Sequence, residues 1–217
     1  MSESGPIPTS AVTGVLLCGG LSRRMGSDKA LALLAGRPLL EHALAALDAV
    51  AERTLLATGT HERYAEYGRP IVLDSESDAG PLAGLAAGLR ATETAWIACL
   101  PCDAPRVDGQ VLRALLARAH AEDLDVAVLA SERGAEPTIG VVHRRVLPAV
   151  EASLASGDRR LISYWTQRVD GRPLVTSALG PAELGLPELE SHEPARNLNT
   201  PAELEAERRV RAQKVIA

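Results

Sequence analysis

Short apolar runs alternate with helix-period segments along almost the whole chain, and this alternation restricts the fold more than any other feature. Val12 to Cys18 reads as a buried strand, and Pro38 to Val50 as a helix opened by a proline at its first position. Arg53 to Thr58, Pro70 to Leu73 and Ala95 to Leu100 give further strands, with a small-residue helix over Pro81 to Ala91 before the last of them. A helix over Asp108 to His120 follows, then strands over Val126 to Leu129 and Thr138 to His143. Helices over Val146 to Ala155 and Arg159 to Gln167 and a weaker strand over Leu174 to Ser177 come next. Such an order predicts an α/β fold of three layers, a mostly parallel central sheet with helices on both faces. Ala178 to Pro194 shows no period and reads as an irregular excursion. Asn199-Thr200-Pro201 predicts the capped start of a last helix, with Glu203 placed after Thr200 as in a capping box.

With 217 residues, 46% of them hydrophobic, the chain can bury a sizeable core without disulfide or metal staples. A flexible tail over 1–10 and one domain over 11–217 ending in the C-terminal helix are expected. The formal charge is only -5, and no block of like charges offers a footprint for duplex nucleic acid or an anionic membrane. Aromatic residues make up 2% and Phe is absent, so a stacking platform for single strands is also missing. No basic segment precedes an apolar signal core, and charged residues interrupt every Leu/Ala-rich run before it reaches membrane-spanning length. The expectation is a cytoplasmic protein with neither nucleic acid nor membrane as partner. Cys18, Cys99 and Cys102 are too few and odd in number for a disulfide framework. The C-x-x-C of Cys99 and Cys102 could be redox-active or metal-binding, but buried small residues at a strand end is the favoured reading. His61, His120, His143 and His192 lack metal-ligand spacing.

Chemistry concentrates in Leu17 to Lys29, LCGGLSRRMGSDK, directly after the first strand. In a parallel α/β sheet this is the carboxyl end, where ligands bind. Gly19, Gly20 and Gly26 allow backbone N–H groups to approach phosphate oxygens, and Arg23, Arg24 and Lys29 can offset several negative charges. A nucleoside triphosphate suits that combination. The spacing matches neither a Walker loop nor the dinucleotide G-x-G-x-x-G. Asp103, just beyond the strand Ala95 to Leu100, brings a carboxylate to the same crevice, while Asp108 is the better-placed cap for the next helix. Asp74 could accept hydrogen bonds from a guanine edge or a ribose.

The segment LCGGLSRRMGSDK resembles the signature loop L-A-G-G-x-S-x-R-M-G-x-D-K of the molybdenum cofactor guanylyltransferases, the MobA family. The likeness continues through Asp74, Gly80-Pro81-Leu82-Ala83-Gly84, Pro101-Cys102-Asp103-Ala104-Pro105, Pro137-Thr138-Ile139, Gly157-Asp158-Arg159-Arg160 and Asn197-Leu198-Asn199-Thr200-Pro201. The resemblance implies a Rossmann-like nucleotidyltransferase fold and Mg²⁺-dependent transfer of GMP from GTP to the phosphate of molybdopterin, with release of pyrophosphate. It assigns nucleotide contacts to Leu17, Cys18, Gly19, Gly20, Lys29, Asp74 and Asp103, the metal to Asp103, and the catalytic roles to Lys29, Asp103 and Arg23. Arg159, Arg160, Asn197 and Asn199 fall on its pterin side, and maturation proteins for molybdenum enzymes become candidate partners. Alternatives are a cytidylyltransferase, a guanylyltransferase for another phosphorylated precursor, or a non-catalytic nucleotide carrier. Two departures stand out: Cys18 replaces the usual Ala, and Thr58-Gly59-Thr60 stands where relatives often have an Asn.

Overall fold

A computed structural model describes residues 7–20, 28–74 and 80–216. Its strands are β1 (Val12–Leu17), β2 (Leu33–Leu34), β3 (Arg37–Pro38), β4 (Arg53–Ala57), β5 (Ile71–Val72), β6 (Trp96–Pro101), β7 (Val126–Ser131), β8 (Gly134–His143), β9 (Arg168–Val169), β10 (Arg172–Pro173) and β11 (Thr176–Leu179). The helices are α1 (Leu39–Asp48), α2 (Gly80–Ala91), α3 (Gly109–Ala121), α4 (Leu147–Ala155) and α5 (Pro201–Ile216). One seven-stranded sheet runs β11-β7-β8-β6-β1-β4-β5, and two small hairpins, β2 with β3 and β9 with β10, stand apart from it.

The α/β reading holds, with one change of direction. β1 pairs parallel with β4 and β6, β4 with β5, and β11 with β7, whereas β8 runs antiparallel to both β6 and β7. The cause is connection length. Only Glu132 and Arg133 separate β7 from β8, far short of the dozen residues a parallel crossover needs, and Gly134 takes a φ of 107° to close the hairpin.

Three further expectations change. No α-helix covers 159–167. Gly157 turns left-handed, Asp158 accepts from the Arg160 N–H, and bonds of i to i+3 spacing carry the chain through a 3₁₀ turn at Ser163–Thr166, with Leu161 and Tyr164 buried. The last strand lies at Thr176–Leu179 rather than 174–177, so the irregular stretch starts later, and it contains a 3₁₀ turn at Pro187–His192. Pro38 stands outside α1 in an extended conformation instead of opening it. Of the expected tail, residues 1–6 lie outside the described residues. Ile7 packs on the core, and the Glu52 N–H donates to Thr9 at 3.2 Å, which ties down the tail's inner end.

The sheet separates two apolar layers. Leu16, Leu100 and Ala127 pack with α1 and α3 on one face, and Val15, Cys99 and Val128 pack with α2 and α4 on the other. Burial on both faces explains why these strands read as continuous apolar runs rather than alternating ones. The small residues of α2 let it lie close: a Cβ at Gly88 would fall 2.7 Å from a methyl of Val15. Among the described residues no helix is long and apolar enough to cross a membrane.

α5 starts as its sequence predicts. Thr200 Oγ1 accepts from the Glu203 N–H at 3.2 Å, and Glu203 Oε2 accepts from the N–H of Thr200 at 2.8 Å and of Asn199 at 2.7 Å. Further along, the buried Glu207 takes two hydrogen bonds from Arg106, at 2.9 and 2.6 Å, so α5 is fastened to the loop after β6.

At the amino end of the sheet, the fully buried Asp125 accepts from the Val175 N–H at 2.7 Å, from Arg172 Nη2 at 2.8 Å and from Arg145 Nε. This carboxylate joins β11 and the β9–β10 hairpin to the sheet. Asp125→Ala would take the buried acceptor away from the Val175 N–H and from two guanidinium groups, which would keep only the exposed Asp123 as a carboxylate partner among the described residues. After allowing for the partial exposure of both arginines, a loss of about 2–3 kcal/mol in urea unfolding is expected. Nucleotide affinity, measured in parallel, should hardly change, because the cluster lies at the opposite end of the strands from the crevice.

Candidate active site

The loops that leave β1, β4 and β6 at their carboxyl ends lie side by side. The Cys18 N–H donates to Ala57 at 2.9 Å and the Cys102 N–H to Leu17 at 3.4 Å, so the ladder extends one step past the strands. Gly19 then crosses Gly59 at closest approach: a Cβ on Gly19 would stand 2.8 Å from the Gly59 nitrogen and 3.0 Å from its Cα. Gly59 itself has a φ of 81°. A Cβ on Gly20, by contrast, meets no described atom within 4 Å. Gly19 is therefore required by packing, and Gly20 is not opposed by any described residue.

Asp74 returns to the same place, its N–H donating to Gly59 at 2.9 Å. Its Oδ1 is buried with no hydrogen-bond partner among the described residues, and burial holds the carboxyl above its ordinary range. A buried unsatisfied oxygen is costly unless something donates to it. Gly84 on α2 gives this carboxyl room, since a Cβ there would lie 3.8 Å from it and 3.0 Å from Leu17.

Lys29 and Asp103 meet. Lys29 Nζ lies 2.5 Å from Asp103 Oδ2, with side-chain exposures of 16% and 13%, and donates also to Asn199 Oδ1 at 3.1 Å. The backbone supports this meeting, because the Leu198 N–H donates to the Asp103 carbonyl at 2.8 Å. Residues 170 positions apart, Lys29 and Asn199, thus share one cluster at the carboxyl end of the sheet. Such a cluster can hold a polyphosphate by charge and a hard cation by its carboxylate.

Lys29 is aimed by groups that the sequence reading missed. Asp28 caps the 3₁₀ turn Lys29–Leu31 by accepting from the Ala30 N–H at 3.1 Å. The Tyr64 hydroxyl lies 2.8 Å from each oxygen of Asp28. Arg63 donates to the Cys18 carbonyl at 2.8 Å, stands 3.8 Å from Asp28 and lies 5.2 Å from the Tyr64 ring centre. Asp28 could have been read from its position before Lys29 as a turn cap; nothing local marks Arg63 or Tyr64.

The other expected residues are distributed unevenly. Arg23, Arg24 and Gly26 lie outside the described residues. Arg160 is exposed and occupied with Asp158, donating at 3.0 and 2.6 Å, and these bonds lower the Asp158 carboxyl to about 2. Exposed Arg159 borders the start of α2, its carbonyl 3.8 Å from where a Cβ on Gly80 would stand. Asn197 Oδ1, near the Asp103 loop, is buried without a hydrogen bond among the described residues. All three cysteines are buried free thiols. Burial pushes Cys99 and Cys102 up to about 12 and raises Cys18 as well, so they remain protonated, as the packing reading requires. Among the described residues no group of three His, Cys, Asp or Glu could hold a metal alone.

With this geometry in view, the chain can be compared with known proteins. A molybdenum cofactor guanylyltransferase of Burkholderia ambifaria is 37% identical over 172 residues, covering 74% of this chain and 84% of that protein. Its counterpart in Photobacterium profundum is 36% identical over 155 residues, covering 70% and 79%. The crystal structure of molybdopterin-guanine dinucleotide biosynthesis protein A from Archaeoglobus fulgidus superposes with a TM-score of 0.76 at 21% identity, over 93% of this chain and 99% of that one, and so shares the fold. Residues 14–172 match the MobA-like NTP transferase domain, and the chain belongs to that nucleotidyltransferase family.

Proposed function

We propose that this chain transfers GMP from GTP to the phosphate of molybdopterin and releases pyrophosphate. The observation that carries the proposal is the meeting of the Lys29 ammonium and the Asp103 carboxylate beside the Gly19–Gly20 backbone, one cation and one anion at the mouth of the sheet. The names of the relatives support the choice of acceptor and base.

In the transfer, a phosphate oxygen of the pterin attacks the α-phosphorus of GTP. The bond from that phosphorus to the bridging oxygen breaks, and pyrophosphate leaves with the electron pair. Positioning and charge neutralisation suffice, with no protein nucleophile. Lys29 and Arg23 neutralise the triphosphate, the amides of Gly19 and Gly20 hold its oxygens, and Asp74 offers its unpartnered oxygen to the base or ribose. Asn197, Asn199, Arg159 and Arg160 serve the pterin side.

Asp103 is the residue that would hold Mg²⁺, since a lone carboxylate with 13% side-chain exposure suits an ion that takes one or two carboxylates and completes its shell with phosphate oxygens and water. When bound, Mg²⁺ supplies charge stabilisation at the reacting phosphate. We place the reaction in the cytoplasm, with product passed to maturation proteins of molybdenum enzymes.

A cytidylyltransferase is the second reading, favoured by the Thr58-Gly59-Thr60 departure. The Thr58 hydroxyl donates to the His61 carbonyl at 2.7 Å, so its one proton is committed within the loop and it offers a base no donor as an Asn amide would. Equilibrium titration with GTP, CTP and ATP in the presence of Mg²⁺ separates the two. GTP is expected to bind at least roughly tenfold more tightly than CTP, about 1.4 kcal/mol; tighter CTP would select the second reading. Turnover with the phosphorylated pterin then tests the acceptor.

A further inference from the structure

The turn that carries Lys29 depends on a side chain from a different loop. Asp28 sits between the two: its carboxylate caps the Lys29–Leu31 turn at Ala30 and receives the Tyr64 hydroxyl at 2.8 Å from both oxygens. Tyr64 is only 5% exposed and holds φ 65° and ψ 27°, a left-handed conformation that is uncommon for a bulky residue and that the surrounding structure must maintain. Arg63, the preceding residue, grips the Cys18 carbonyl at 2.8 Å. The loop after β4 therefore touches the first loop on both sides of residues 21–27, at Cys18 and at Asp28.

From this arrangement we infer that Tyr64 is a positioning residue for Lys29: by holding Asp28 it fixes the turn that points the ammonium at Asp103 and at the triphosphate. The inference rests on the triphosphate-binding reading above. Tyr64 contacts Asp28 through its hydroxyl, and its ring stacks with Arg63, so the hydroxyl can be removed while the ring stays. Burial, and then the hydrogen bond to Asp28, hold the phenol above its ordinary range, which keeps it a neutral donor.

Tyr64→Phe isolates the hydroxyl. Hydrogen bonds to charged groups are the stronger class, so GTP binding should weaken by roughly tenfold or more, while guanosine binding should stay within about twofold. A role in general stability would weaken both ligands. The decisive comparison uses the Lys29→Ala background: if Tyr64 acts through Lys29, Tyr64→Phe added to Lys29→Ala should cause little further loss of GTP affinity. Asp28→Asn, which keeps a cap acceptor and a partner for the Tyr64 hydroxyl, should retain more GTP affinity than Asp28→Ala. Equal loss of GTP and guanosine, or a full tenfold loss repeated in the Lys29→Ala background, would overturn the inference and leave the functional reading standing. A wild-type protein that binds GTP no better than guanosine would overturn both.

Discussion

Asp103→Ala is expected to abolish Mg²⁺-dependent pyrophosphate release, with a fall of at least about 10³-fold, while the protein remains folded. The reason lies in what Asp103 touches. Its side chain meets Lys29 Nζ at 2.5 Å, whereas the bond that anchors its loop to Leu198 comes from the backbone carbonyl and survives the substitution. Lys29 keeps Asn199 at 3.1 Å, so the unfolding free energy should fall by no more than about 2 kcal/mol. A pyrophosphate-release assay with thermal unfolding of the same preparation checks both halves. Unchanged turnover would remove Asp103 from the reaction.

Gly19→Ala is expected to be nearly as damaging, by a steric route. Its Cβ would stand 2.8 Å from the Gly59 nitrogen and 3.2 Å from the Thr58 carbonyl carbon, and backbone atoms cannot rotate away as a side-chain tip can. The β1 loop must part from the β4 loop, at a cost of about 1–3 kcal/mol. Because Gly59 also accepts from the Asp74 N–H, the disturbance reaches Asp74, and GTP affinity should fall by more than about tenfold. Gly20→Ala is the matched control. No described atom opposes its Cβ, so its unfolding midpoint should stay near wild type and any loss should appear only in nucleotide binding. Full stability and full affinity in Gly19→Ala would show that the close crossing is dispensable.

What the sequence disclosed follows from how far apart the partners lie. Local rules sufficed for the capping box of Thr200 and Glu203 and for Asp108, which accepts from Gln110 and Val111 as a helix cap should. Parallel topology brought Lys29 and Asp103 to one end of the sheet in advance, because strand ends and ligand crevices coincide in α/β folds. The antiparallel β8 was missed although the two residues between it and β7 forbid any crossover. The turn at 157–167 was misread because apolar residues at helical spacing look alike whether a helix or a succession of i to i+3 turns buries them. The link from Tyr64 to Asp28 spans 36 positions and depends on a left-handed tyrosine, and no periodicity or motif announces such a contact.

The carboxylate of Glu203 does two things at once. It closes the first turn of α5 and it grips the N–H of Asn199, whose amide oxygen in turn receives the lysine ammonium. Weakening that helix start would therefore be felt at the reacting end of the molecule before the core noticed. The matched family segment ends at 172, so a fragment trimmed to it would keep the first glycine loop but leave the lysine without its Asn199 tether.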